Sequence, residues 1–155
     1  LEVAARFDMV DEDTDLRGMR LYPAAGVTYY IFGNNQARTD VAMTAPVTQQ
    51  PAGGKWAVSF MMPASFTMAT LPEPLDADVR LRELPVRSMA AIRYSGFWSK
   101  ENYQEHLDAL RRWMEENRFT AIGEPVWARY NPPFMPWFLR RNEILIEIEG
   151  NQPVN

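Results

Sequence analysis

Between Gly96 and Gly123 the chain carries neither proline nor glycine, its longest such stretch, and this interval constrains the fold more than any other. Most of the remainder is cut by 12 prolines and 8 glycines into shorter runs, because proline withholds a backbone donor and glycine readily takes the conformations that end helices. Inside the interval, Tyr103, Leu107, Leu110 and Met114 recur at steps of three and four, which places them on one face of a helix. Ser99 can cap that helix through its hydroxyl, and Glu101 suits the positive end of the dipole. Asp108 and Arg112 stand four residues apart for an ion pair on the outer side.

The shorter runs read as strands. Leu1 to Asp8 is mixed and β-compatible, and Val41–Gln49 and Trp56–Met61 flank Gly53-Gly54 as a hairpin. Val79–Leu84 and Val86–Tyr94 are separated by Pro85, Val126–Tyr130 follows the long helix, and Ile144–Ile148 closes the series. Another helix is expected from about Pro23, where the missing N–H costs nothing, to the stop at Gly33-Asn34-Asn35. The acidic run Asp11 to Asp15 reads as a solvated loop, since Leu16 and Tyr22 stand where a calcium loop needs glycine and glutamate. The order strand, helix, strand, strand thus occurs twice, with no convincing repeat in the residues themselves. It predicts an α+β chain, with helices against one side of antiparallel sheet or inside a barrel-like wrap. A length of 155 residues suits one domain spanning 1–155.

Composition excludes more than it selects. With no cysteine there is no disulfide, zinc thiolate site, thiol nucleophile or cysteine-attached haem. A formal charge of -4 offers no basic surface for phosphates, so nucleic acid is not an expected partner. No apolar run nears the roughly 18 residues of a membrane-crossing helix, so the visible chain reads as soluble. Because it starts at Leu1 rather than Met, the start leaves open whether a leader, anchor or tag was removed, and with it the address: cytoplasmic, or periplasmic after leader removal. Gly-x-Ser-x-Gly, His-Glu-x-x-His and phosphate-loop patterns are missing, so an enzymatic role is unmotivated.

Five segments carry a further signal in their order. They are Tyr30-Ile31-Phe32-Gly33-Asn34-Asn35, then Val41-Ala42-Met43-Thr44-Ala45-Pro46-Val47, then Leu71-Pro72-Glu73-Pro74-Leu75-Asp76, then Ala91-Ile92-Arg93-Tyr94-Ser95-Gly96, and last Asn131-Pro132-Pro133-Phe134-Met135-Pro136-Trp137 leading to Arg140-Arg141-Asn142-Glu143. Together they resemble the SOUL haem-binding protein family over most of the chain. The resemblance implies a twisted antiparallel β-barrel with two helices, built from two β-α-β-β halves as in effector-binding domains of the gyrase-inhibitor type. It implies non-enzymatic binding of a tetrapyrrole, haem b or another porphyrin, in an apolar pocket.

Haem calls for apolar surface for its macrocycle, cations for its propionates and optionally a side chain at iron. Phe134, Met135 and Trp137 offer adaptable apolar surface from a loop, either as a wall for a flat ligand or as a lid over the core. Arg38 and Arg140 are candidates for propionates, although Arg140-Arg141 equally suits a structural ion pair with a neighbour such as Glu124. Tyr30 and Met43 are candidate weak iron ligands, with Met43 as readily a core residue. His106 holds the only imidazole and is the metal candidate, placed at the edge of the helix face where half-buried fillers commonly sit. The alternatives on the same fold are a sensor or scavenger of other amphipathic small molecules, a tetrapyrrole-modifying enzyme, and a protein-interaction module using the 134–138 loop.

Overall fold

The computed structural model describes residues 2–9, 30–52 and 55–149. Among the described residues, seven strands, β1 (Glu2–Met9), β2 (Val47–Ala52), β3 (Lys55–Met61), β4 (Val79–Leu84), β5 (Met89–Tyr94), β6 (Val126–Arg129) and β7 (Asn142–Glu147), accompany one long helix, α1 (Lys100–Glu116). Of the helix expected from Pro23, Tyr30 and Ile31 are helical, and the remainder, like the Asp11–Asp15 loop, lies outside the described residues. Gly33 ends it as expected, at φ 92, with its N–H donating to the Tyr30 carbonyl at 3.3 Å.

The sheet order is β4-β1-β3-β2-β6-β7-β5, antiparallel at every step. Leaving β4 aside, the order is palindromic: β1-β3-β2 in one half is mirrored as β6-β7-β5 in the other. The duplicated element order is therefore a pseudo-two-fold, and antiparallel β2 and β6 meet at its centre. The hairpin β2–β3 pairs down to Ala52↔Lys55, and Gly53-Gly54 between them lies outside the described residues. β2 begins at Val47 rather than Val41, because Pro46 has no N–H to give a ladder.

The sheet does not close into a barrel, which corrects the expectation drawn from the resemblance. Its edges are β4 and β5, and with seven strands alternating in direction those edges run parallel. Parallel neighbours need a crossover of a dozen or more residues, whereas only the four residues 85–88 join β4 to β5. The same short link forces curvature. The steps from Leu84 to Met89 span at most about 18 Å, while flat strands at about 4.8 Å spacing would put the two edges about 29 Å apart. The result is a strongly curled, open sheet.

Each half has its own core. The first gathers Tyr30, Ile31, Val41, Phe60, Met62, Leu71 and Val79. The second gathers Leu107, Leu110 and Met114 of α1 over Ala90, Trp127, Ile144, Ile146 and Ile148, so the helical face expected from the sequence is the buried one. Ser99 caps α1 by accepting from the Asn102 N–H at 3.2 Å. Asp108 accepts from Gln104 at 2.9 Å, one turn back rather than one turn on. Among the described residues no helix is long and apolar enough to cross a membrane.

Candidate ligand-binding site

Strand alternation builds the site. Antiparallel register puts Tyr94 (β5), Asn142 (β7) and Arg129 (β6) opposite one another in one row, and Ile92, Ile144 and Trp127 in the next row on the same face. The α1 N-terminus and the link before it reach this face. The Trp98 indole N–H donates to Asn142 Oδ1 at 2.7 Å, and its ring centroid lies 4.8 Å from the Arg129 guanidinium and 4.3 Å from that of Arg140. Trp127 stacks in parallel on Trp56 at 5.9 Å and takes the Tyr103 ring on its edge at 3.9 Å. Tyr94, Trp98, Ser99, Trp127, Ala128 and Arg129 line a crevice holding a cavity of about 10 Å³, room for roughly one water-sized group.

Burial pushes the Arg129 guanidinium down to about 10, with the Tyr94 phenol pulling the other way and Arg140 lowering it further. Burial pushes Tyr94 up to about 12, against the pull of Arg129. At neutral pH the face therefore presents a cation and a neutral phenol.

Beside the crevice lies an exposed aromatic shelf. Phe97 and Trp137 stack at 5.1 Å with planes 6° apart, and Phe138 meets Trp137 edge-on at 5.1 Å. The Gly96 N–H donates to the Trp137 carbonyl at 2.9 Å, tying the proline-flanked loop to the link between β5 and α1. Arg140 clamps that loop from within, donating through Nε to the Met135 carbonyl at 2.8 Å and through Nη2 to the Pro133 carbonyl at 2.7 Å. Crevice and shelf adjoin through the consecutive residues Phe97, Trp98 and Ser99.

Gly96 is the hinge of this arrangement. It sits at φ 114, and a Cβ there would meet Asn102 Nδ2 at 2.8 Å, displacing the amide that holds the Ser95 and Phe97 carbonyls at 3.2 and 2.9 Å. Gly96→Ala is expected to cost about 1–3 kcal/mol, read as a lower midpoint in urea with an unchanged slope; a midpoint equal to wild type would show that the turn is unstrained.

The residues expected from the sequence divide by half. Tyr30 is fully buried in the first core, its hydroxyl donating to the Pro72 carbonyl at 2.9 Å, and burial raises that phenol above its usual range. The Tyr30 hydroxyl, a candidate iron ligand by residue type, is thus engaged on a backbone carbonyl within this core. Met43 is exposed rather than core, and Arg38 is exposed at φ 51. In the second half, Phe134 is 85% exposed and Trp137 46%, so the loop is neither an enclosing wall nor a lid. Met135 is half-buried. Arg141, not Arg140, makes the ion pair, and its partner is Glu143 at 2.6 Å rather than Glu124; its guanidinium also covers the Tyr130 ring at 4.0 Å. His106 is half-buried, stacks on Tyr94 at 4.4 Å, and has Nδ1 2.7 Å from the Asn102 carbonyl. A carbonyl only accepts, so Nδ1 is the donor of this contact, and in a neutral ring the lone pair is left to Nε2.

Trp98, Trp127 and Arg129 belong to none of the motifs that single out candidate ligand-binding residues in the sequence. The last two were legible as a pair, because Trp127-Ala128-Arg129 within a strand puts both side chains on one face.

Three comparisons bear on this arrangement. A sequence model of the family described as SOUL heme-binding protein matches residues 10–147. The human protein named Heme-binding protein 2 is 29% identical, with 80% of this chain and 63% of that protein covered. Among solved structures, a cryo-EM structure of an EcmrR–DNA complex contains a chain that superposes with a TM-score of 0.67 at 13% identity, covering 97% of this chain and 55% of that one. That last likeness is one of fold alone, and this chain spans less than two thirds of either protein.

Proposed function

Because this chain belongs to the SOUL haem-binding protein family, we propose that, acting as a single domain, it binds haem b or a related porphyrin without transforming it, and that the second half receives the ligand. What carries the reading is the shelf of Phe97, Trp137 and Phe138, three rings that a monomeric protein leaves in water at a cost unless a flat apolar partner covers them. The macrocycle fits against these rings rather than inside the crevice, whose 10 Å³ is far too small for it. Phe134 and Met135 would extend the contact along the loop, and Arg140 adds a cation for a propionate. Bound haem would supply iron, and His106 is the imidazole of this half, in the tautomer that leaves Nε2 to a metal.

In this reading recognition comes from the ring faces and the carboxylates. Titration with hemin is therefore expected to give a saturable Soret shift at micromolar protein, and metal-free protoporphyrin should bind within about tenfold of hemin, under about 1.4 kcal/mol apart. A Soret band that tracks free hemin throughout would end the proposal. Binding of hemin but not of the metal-free ring would move recognition from the shelf to the iron, with His106→Ala as the next variant.

A further inference from the structure

We infer that the crevice between the N-terminus of α1 and strands β5 and β6 is a receptor for one carboxylate, carried on a ligand whose flat apolar body stays outside on the neighbouring rings. It rests on the porphyrin reading only for the identity of that body. The receptor itself stands on donors already in place.

One of those donors is buried and unused. Trp127, 6% exposed and part of the lining, has an indole N–H without a partner among the described residues. Next to the lining, in the row of Tyr94 and Arg129, Asn142, 2% exposed, also has an unpartnered Nδ2 while its Oδ1 is taken by Trp98. An indole and an amide nitrogen can only donate, and a native interior rarely leaves such groups unanswered. Around them stand two cations, Arg129 and Arg140. Arg129 lies in the row of Asn142, its guanidinium 5.4 Å from the Trp127 centroid, Arg140 stands over the same Trp98 ring, and Ser99 brings the N-terminus of a 17-residue helix to the lining. Among the described residues none that lines it is a carboxylate. The face asks for an anionic acceptor.

Size then selects among acceptors. A cavity of about 10 Å³ takes one water-sized group, which excludes a macrocycle and crowds a tetrahedral phosphate, whereas a carboxylate enters tip first. A guanidinium with a second N–H donor beside it matches the two lone-pair directions of a carboxylate. The walls, Trp98 and Tyr94, continue into Phe97 and Trp137, so an aromatic body attached to the carboxylate has rings to lie against. A porphyrin propionate and a simple aromatic acid share this chemistry.

Nitrogen-15 spectra of the full chain test it, since five tryptophans give five indole signals and Trp127→Phe identifies one of them. Titration with 1-naphthoate should move the Trp127 indole signal saturably, and neutral 1-naphthamide should leave it in place. Zinc protoporphyrin should move the same signal, and its dimethyl ester should bind at least tenfold more weakly. Arg129→Lys, which keeps the charge and loses the fork, should weaken 1-naphthoate at least tenfold while the other indole signals stay dispersed. Equal movement with acid and amide, or none with either, overturns the receptor and leaves the crevice to an ordinary structural water. The two readings fail separately. Porphyrin binding with the Trp127 signal unmoved removes the receptor alone, and a 1-naphthoate response without any porphyrin binding removes the porphyrin alone.

Discussion

Ile144→Ala is expected to lower the free energy of unfolding by about 3–4 kcal/mol, which for a chain of this size takes roughly 10 °C from the melting temperature. Ile144 is fully buried in the middle strand of the second half, opposite Ile92 on one side and Trp127 on the other, and belongs to the core that Leu107 and Leu110 cover from α1. Truncation there removes apolar contact in a place bounded by two ladders and a helix, so little can move to fill the space. The mirrored sheet adds a reason for the size of the effect. β7 holds β5 and β6 together, and β6 is the strand through which the second half joins the first at β2. Val86→Ala is the matched control, since Val86 is 102% exposed in the link between β4 and β5 and its truncation should change stability by less than about 0.5 kcal/mol. Thermal and urea unfolding of both variants give the comparison. A loss below about 1 kcal/mol at Ile144 would mean that the second core is loosely packed and that the architecture described for it is wrong.

What was legible in the sequence follows the range of the interactions. The α1 face, its Ser99 cap, the hairpin and the two-fold element order depend on residues close in the chain, and all were readable. The β2–β6 pairing joins Val47 to Arg129 across about eighty residues, and no local propensity encodes such a partner. The resemblance implies closure into a barrel, yet that fails on a count: seven alternating strands leave parallel edges, and the four residues between β4 and β5 are too few for the crossover that paired parallel strands need. At the site the misses have particular causes. Arg141 and Glu143 lie two apart in an extended segment, hence on one side, so their pairing needed no distant Glu124. Residue type alone makes Tyr30 a candidate weak ligand, and only the fold shows its hydroxyl donating to the Pro72 carbonyl beside a core. The aromatic loop was expected to wall or cover a pocket. Its prolines and the Arg140 clamp instead hold the rings outward.

That clamp sets the largest expected effect on ligand binding. Arg140→Ala should weaken hemin ten- to a hundredfold, about 1.4–2.8 kcal/mol, while costing the fold about 1 kcal/mol or less, because the Pro133 bond it gives up is exposed and the Met135 one only part-buried, so water can take over. Two contributions are lost together. The guanidinium holds the Met135 and Pro133 carbonyls in one fork and so fixes the loop that presents Trp137 to Phe97; without it the shelf must be ordered on binding, and that entropy is subtracted from affinity. The same side chain supplies a cation next to Trp98. Arg140→Lys separates the two. Lysine keeps the charge but is a point donor on a flexible stem, unable to span two carbonyls with one planar group. If preorganisation dominates, the lysine variant binds hemin nearly as weakly as the alanine variant, and the Trp137 ring becomes more accessible to a fluorescence quencher in both. Full recovery of affinity with lysine would assign Arg140 to propionate charge alone, and hemin affinity unchanged in both variants would remove the loop from the binding surface altogether.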